Sequence, residues 1–414
     1  MTAPFWIGQA SAYVGDAVGS VVGAPGKRAS DSFAFARAGG AICVETLDLA
    51  QMGAHAEAWA ALASRALEPN AFLEPGFATA RARSLPPGAR PRFVAVWRDA
   101  ERERLAGLFP LAPTTFGLAR IWLDEQTPLG TPLVDRDSAD LAPRALFAHM
   151  RESAHVAGIV FPRLTQSGAT LRAVTAAASA SDRDVETLCA FERAALYAGS
   201  NADALARRGA SIHALRELYR RRRRLEERGA VEFRLIDDPR AIEVALEEFL
   251  TLEASGWKGA RGALSRQRNL AGFARDATQG MARAAQCAIA RLALDDRPLA
   301  MGILFESGDR AYFWKIAFDE RFRAYAPGID LAHRLTGVLA SRDDIALTDS
   351  CAIADHPMID RFWPDRVGVC DVAVALDCER PAPFRAACAV ERFRRGVREQ
   401  AKRVANRALR RKVS

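Results

Sequence analysis

Apolar residues recur along this chain in two rhythms, and their alternation predicts a mixed α/β protein. Short runs rich in β-branched and aromatic residues predict strands over 42–47, 92–97, 105–111, 159–164, 170–175, 288–294, 299–305, 312–318, 345–349 and 369–376. Apolar residues three and four apart predict helices over 54–66, 146–154, 183–197, 212–228, 241–253 and 270–279. Pro69, Pro75 and Pro86-Pro87-Gly88 break the first part of the chain, Gly229 ends a helix, and Asp295-Asp296-Arg297-Pro298 turns a hairpin. In the second part, helices come first, then three strands, a crossover helix and two more strands. That order makes a mixed sheet with helices layered on it.

The most informative stretch is YFWKIAFDERFRAYAPGIDL, residues 312–331. Tyr312, Phe313, Trp314, Ile316 and Phe318 predict a strand, closed by the acidic turn Asp319-Glu320. Pro327 suits a first helical turn, and Gly328 lets the main chain come close to a ligand. Unpaired amides at that helix start, with Arg323 beside them, form an anion site; the same residues also make an ordinary strand, turn and Pro-initiated helix. Lys315 sits among aromatics inside the strand, where an ammonium needs a partner, so it is expected to face a cleft; the alternative is a surface lysine.

These residues resemble the FemAB-like, CelD-like branch of the GNAT acyltransferases, in which an aromatic strand with a lysine precedes an Asp-Glu turn and a Pro-Gly helix start. FLTLEASGWKG, residues 249–259, resembles the segment opening that family's catalytic half, and 216–229 resembles the basic helix before it. TDSCA, residues 348–352, with His356-Pro357-Met358 and Trp363, resembles the strand and short helix that close its site. The match covers roughly 45–376. Where such enzymes usually show a first glycine, this chain has Ala326. The resemblance implies two tandem GNAT-like domains: a flexible leader over 1–40, a degenerate first domain over 41–182, connecting helices over 183–230, a catalytic domain over 231–380 and a basic tail helix over 381–414. It implies acetyl-CoA or another acyl-CoA as co-substrate, with Arg323, Ala326, Pro327 and Gly328 as the cofactor-binding residues and no metal.

Composition and charge narrow the picture. No apolar run approaches the roughly 18 residues that a membrane span needs, so a cytoplasmic location is expected, with peripheral contact at the inner membrane face. The seven cysteines are widely spread, without metal-ligand spacing, and read as reduced thiols. The net charge of +8 is concentrated at one end, where eleven Lys or Arg stand against Glu391 and Glu399 from Arg385 onward. A nucleic-acid partner would therefore rest on the tail alone and is not expected. Val390, Phe393, Val397, Ala401, Val404 and Ala408 make that tail amphipathic, either as a docked terminal helix or as one resting on an anionic membrane surface or acidic partner. A second basic run, 220–224, reads as a solvated helix face or a phosphate attractor.

Acyl transfer needs a group to take or orient the acceptor's proton, donors for the carbonyl oxygen and a route for the leaving thiolate. Asp349, at a strand end, is the candidate base or acceptor-orienting carboxylate, with an N-cap role as its alternative. Lys315 would steady developing negative charge, and Tyr325 would protonate the leaving group or pack against the helix start. Trp257, Lys258, Tyr312 and Trp314 are candidate contacts to a small-molecule or envelope-precursor acceptor. Pro357 beside His356, and no nucleophile elbow around Cys351, argue against a covalent route. The expected activity is direct transfer of an acyl group to an amine or hydroxyl. The alternatives are aminoacyl transfer from charged tRNA and an idle scaffold in polysaccharide assembly. The enzymatic reading requires the strands of Lys315 and Asp349 to diverge, because a pantetheine arm must enter between them.

Overall fold

A computed structural model describes residues 33–37, 40–199, 208, 212–256, 263–264, 268–356 and 358–411. The first half runs β1 (Phe33–Arg37), β2 (Gly40–Leu47), α1 (Leu49–Gly53), α2 (Ala56–Ser64), α3 (Pro75–Ser84), β3 (Arg92–Trp97), β4 (Leu105–Thr115), β5 (Leu118–Ile121), β6 (Leu133–Val134), α4 (Leu141–Ser153), β7 (Gly158–Thr165), α5 (Ala169–Ser179) and β8 (Val185–Tyr197). After α6 (Ile212–Glu226), the second half runs β9 (Val231–Ile236), α7 (Pro239–Ser255), α8 (Arg268–Arg283), β10 (Cys287–Leu294), β11 (Arg297–Ser307), β12 (Arg310–Phe318), α9 (Pro327–Ala340), β13 (Leu347–Asp349), β14 (Asp365–Ala375) and the tail helix α10 (Pro381–Arg411).

From β2 and from β9 the same order unfolds: a strand, helices, three antiparallel strands, a helix and a strand in parallel contact with the third. The tandem GNAT-like architecture is therefore present as a duplicated order of elements. All strands form one sheet in the order β1-β2-β3-β4-β5-β7-β14-β8-β13-β12-β11-β10-β9, with β6 attached to β4. Outward from the β14–β8 seam, β7, β5, β4, β3 and β2 on one side answer β13, β12, β11, β10 and β9 on the other. The last strands are exchanged: β14 of the second half lies against β7, and β8 of the first half lies against β13. Each half thus completes the other's sheet.

Three expectations change. The stretch 183–197 is not a helix: Val185–Tyr197 form strand β8. Their Ala, Glu, Leu and Arg favour helix locally, but the position between β14 and β13 supplies ladder partners along the segment. Residues 170–175 lie in helix α5, not in a strand. The leader assigned to 1–40 holds β1, which pairs with β2 over 33–37; the rest of that leader, apart from Gly40, lies outside the described residues.

The two faces of the second half's sheet are covered differently. On one, α7 and α8 pack against Ile289, Met301, Ile303, Phe305, Tyr312 and Trp314. On the other, α6 and α9 pack against Ala290, Leu292, Ala300, Leu304 and Phe313. Strand side chains alternate between faces, so buried residues of both parities require both layers. Helices α3 and α8, one from each half, touch at Gly76 and Gly280, where a Cβ on Gly76 would stand 2.8 Å from the Gly280 carbonyl carbon. Only glycine lets the two backbones meet there.

Candidate functional site

Strands β12 and β13 pair in parallel through Arg310 with Leu347, Ala311 with Thr348, and Tyr312 with Asp349. There the pairing stops. Asp349 ends β13, whereas β12 continues to Phe318, paired along that stretch with β11. Lys315 lies three residues beyond the last pair.

A bulge decides how Lys315 faces. The β11–β12 register shifts between Ile303 and Leu304, so that Leu304 faces Phe313, Ile303 faces Lys315, and Trp314 is the extra residue. Residues opposite one another share a face, and Ile303 belongs to the α7–α8 face, so Lys315 is turned to that face as well. Tyr312 and Asp349 are directly paired and share it too, as does Arg193 two residues from Ala195, the β8 partner of Asp349.

Arg193 is the functional candidate that sequence reasoning missed. It is fully buried, and its guanidinium donates to Asp349 Oδ2 at 2.5 Å and to the Pro128 carbonyl at 3.2 Å. Burial works against its charge, but Asp349 outweighs that, and the guanidinium pKa is raised. Only reading 183–197 as a strand would have placed this arginine on the site's face, and that stretch's helix-favouring composition hid it. The other oxygen of Asp349 accepts the Cys351 amide at 2.8 Å, and Cys351 takes a left-handed backbone with φ 54°. Asp349 is therefore engaged by a cation on one side and a turn on the other.

The Cys351 thiol lies within the field of Asp349, Arg193, Arg163 and Lys315. Burial pushes its pKa well above the ordinary thiol value; Asp349 adds to that and the three cations oppose it. Lys315 is half-buried, with its Nζ 5.1 Å from the centroid of the Trp314 ring.

Tyr312 and Trp314 have a different duty from the one expected. Both are buried; Tyr312 donates to the Pro69 carbonyl at 2.7 Å and Trp314 to the Gln126 carbonyl at 3.0 Å. They fasten β12 to the first half, and burial pushes the Tyr312 phenol well above its ordinary range. The segment 126–128 thus supplies carbonyls to both Trp314 and Arg193, so the site is built from both halves. Trp257 and Lys258 fall between α7 and α8, outside the described residues.

The helix start lies close by in sequence. Ala326 takes a left-handed conformation, φ 53° and ψ 50°, at the position where a glycine was expected; a Cβ costs about 1 kcal/mol or more in that region. Its amide donates back to the Arg323 carbonyl, and Pro327 has no amide to give. Gly328 is close-packed, since a Cβ there would stand 3.3 Å from the Phe318 ring. Arg323 is exposed, with no side-chain hydrogen bond or ion pair among the described residues. Helix α6 packs alongside: Arg222 is paired with the buried Asp330 of α9, its Nε at 2.8 Å, and Arg228 donates to the Tyr325 hydroxyl at 3.0 Å. Tyr325 packs with Leu225, Leu294, Leu299 and Phe322, so its hydroxyl is directed to Arg228 and not to Asp349. The basic run of α6 is thereby brought beside the α9 start, with Arg223 and Arg224 exposed.

Residues 213–352 match the family model described as an acetyltransferase (GNAT) domain, and the chain carries a GNAT-type acyltransferase domain there. No curated protein matches the chain in sequence. Among solved structures the chain is similar to FemX, at 12% identity over 77% of this chain and 95% of that one, with a TM-score of 0.47. It is similar to L-PGS from Bacillus licheniformis at 12% identity, over 73% and 88% of the two chains, with a TM-score of 0.43. A tandem GNAT protein from the clavulanic acid biosynthesis pathway matches at 17% identity, over 81% and 99%, with a TM-score of 0.39. Likeness at this level says nothing of substrate.

Proposed function

We propose that this protein transfers an acyl group directly from coenzyme A to an amine or hydroxyl of a sugar, peptide or cell-envelope precursor. The observation that carries this reading is the end of β12–β13 pairing at Tyr312 and Asp349, with the Trp314 bulge and Lys315 just beyond it. A thioester arm lying there brings its carbonyl near the Lys315 ammonium, which stabilises charge developing on oxygen. Asp349 holds Arg193 and orients the acceptor. Carrier phosphates belong at the α9 start, where Arg323, Arg223 and Arg224 supply positive charge.

One observation favours a second reading. With Pro327 lacking an amide and the Ala326 amide already spent, that helix start offers few donors to a pyrophosphate, whereas the α6 arginines suit a longer polyanion such as charged tRNA. Calorimetry and thermal shift with acetyl-CoA, longer acyl-CoAs and free coenzyme A separate the two. Stabilisation of the wild type that Arg323→Ala loses supports the coenzyme. No stabilisation by any of them, with retention of aminoacyl-tRNA on a filter, moves the assignment to aminoacyl transfer.

A further inference from the structure

The tail helix α10 has two apolar faces, and among the described residues only one is used. Phe384 and Cys388 are fully buried; Phe384 lies over Gly158, where a Cβ would stand 2.6 Å from its ring. Around them the basic residues of this segment are matched to acids: Arg385 to Asp184 at 2.8 Å, Arg395 to Asp371 at 2.7 Å, and Arg394 to Glu391 at 2.7 Å. Glu391 is itself buried and holds Arg120 at 2.6 Å. The start of the tail is thus part of the body.

The second face points away. Val390 is 47% exposed, Phe393 76% and Val397 51%, all on one stripe at spacings of three and four. At roughly 100° per residue, that stripe lies about 160° around the helix from Phe384, Cys388, Glu391 and Arg395. Phe116, 58% exposed at the β4–β5 turn, adjoins it through Arg394, whose guanidinium stands 5.3 Å from the ring centroid. The sequence shows which face continues. The positions that extend the docked face are Arg398, Lys402 and Asn406, which do not make a core. Those that extend the exposed stripe are Ala401, Val404 and Ala408.

We propose that α10 lays this outer face, with Phe393 at its centre, on an anionic lipid surface. Charge decides among the occupants. Beyond Gly396 the sequence carries Arg398, Lys402, Arg403, Arg407, Arg410, Arg411 and Lys412 against Glu399 alone. Two copies brought together through this stripe would set those like charges against each other. A negatively charged surface neutralises them while taking up the apolar edge, as interfacial helices do. Among the described residues, no helix is long and apolar enough to cross a membrane, so this contact lies on the surface of the bilayer. The proposal is independent of the acyl-transfer reading.

Sedimentation of the full chain with vesicles of phosphatidylcholine, with and without phosphatidylglycerol, tests it. The expected result is binding to the anionic vesicles that weakens with salt, and a loss of about tenfold or more in Phe393→Asp at an unchanged melting temperature. Equal binding to both vesicle types, or a Phe393→Asp variant that binds like the wild type, overturns it. A wild type that ignores vesicles but forms a dimer dissolved by Phe393→Asp also overturns it, and gives the face to a second copy.

Discussion

The two halves share one topology and differ in what fills the gap between their parallel strands. In the first half β5 and β7 also pair over three residues, ending at Arg120 with Val160, as β12 and β13 end at Tyr312 with Asp349. Beyond that point the second half has Lys315, whereas the first has Leu123 and a segment that turns back on itself. There Gly130 is so close that a Cβ would stand 2.5 Å from the Pro162 carbonyl oxygen. Val160 takes the place of Asp349. Ala373 of β14, the partner of Val160, corresponds to Ala195 of β8, so the counterpart of Arg193 is Asp371, and Asp371 is held by Arg395 of the tail. Beyond the paired strands one half carries charges; the other is filled by its own chain and covered by α10. A duplicated fold therefore does not duplicate a site, and the plugged half lends its carbonyls to the charged one.

The comparison breaks hardest at Arg193. Arg193→Met leaves Asp349 buried without its cation, and equilibrium unfolding is expected to show a loss of about 3–5 kcal/mol. Adding Asp349→Leu should restore most of it, because two well-packed apolar residues replace a broken pair; a double variant as unstable as the single one would show that the pair is not the unit. Next comes Lys315. Lys315→Met is expected to lower turnover about 100-fold with folding unchanged, equivalent to about 2.7 kcal/mol of transition-state stabilisation. Leu123→Met, at the corresponding place in the first half, should leave turnover as it was. If both behave alike, the charged gap is not the reacting one.

The joint between the halves is a smaller lever. Gly280→Ala forces α3 and α8 apart at Gly76 and is expected to cost about 1–3 kcal/mol in the melting transition. The smallest effect is a pH slope. Glu74, at the start of α3, is buried and shares a 2.5 Å hydrogen bond with Ser307 at the end of β11. Burial raises its pKa above the ordinary 4.5, while the bonds to Ser307 and Gln286 oppose that. The folded state therefore holds this proton more tightly than the unfolded one. The group's contribution is fully present below pH 4.5 and is lost as pH rises through the raised folded value. In Glu74→Gln that part of the slope in stability against pH should vanish.

Much of the second half was legible in the sequence because its signals are local. The hairpin through 295–298, the aromatic strand, the Pro-initiated helix and the basic helix α6 each carry their own propensity or breaker, and all lie where the pattern put them. The positive backbone angle at Ala326 falls where the glycine was missed, and Lys315 could be singled out because a lysine among aromatics is conspicuous by itself. β8 was illegible for the opposite reason. Its composition favours a helix, and only the ladders on either side make it a strand. Arg193 went unread with it.

By itself, then, the sequence determined the class of fold and most of the elements from α7 to β14, though not β9, and it singled out Lys315 and Asp349 as candidates. Periodicity, breakers and isolated charges act within a few residues, so they can be read along a chain. The tertiary structure alone decided that the last strands are exchanged, that Asp349 answers to Arg193, that Tyr312 and Trp314 fasten the halves, and that the tail keeps one apolar face outward. Each of these depends on partners tens to hundreds of residues away, and such pairings are set by packing, not by any local preference.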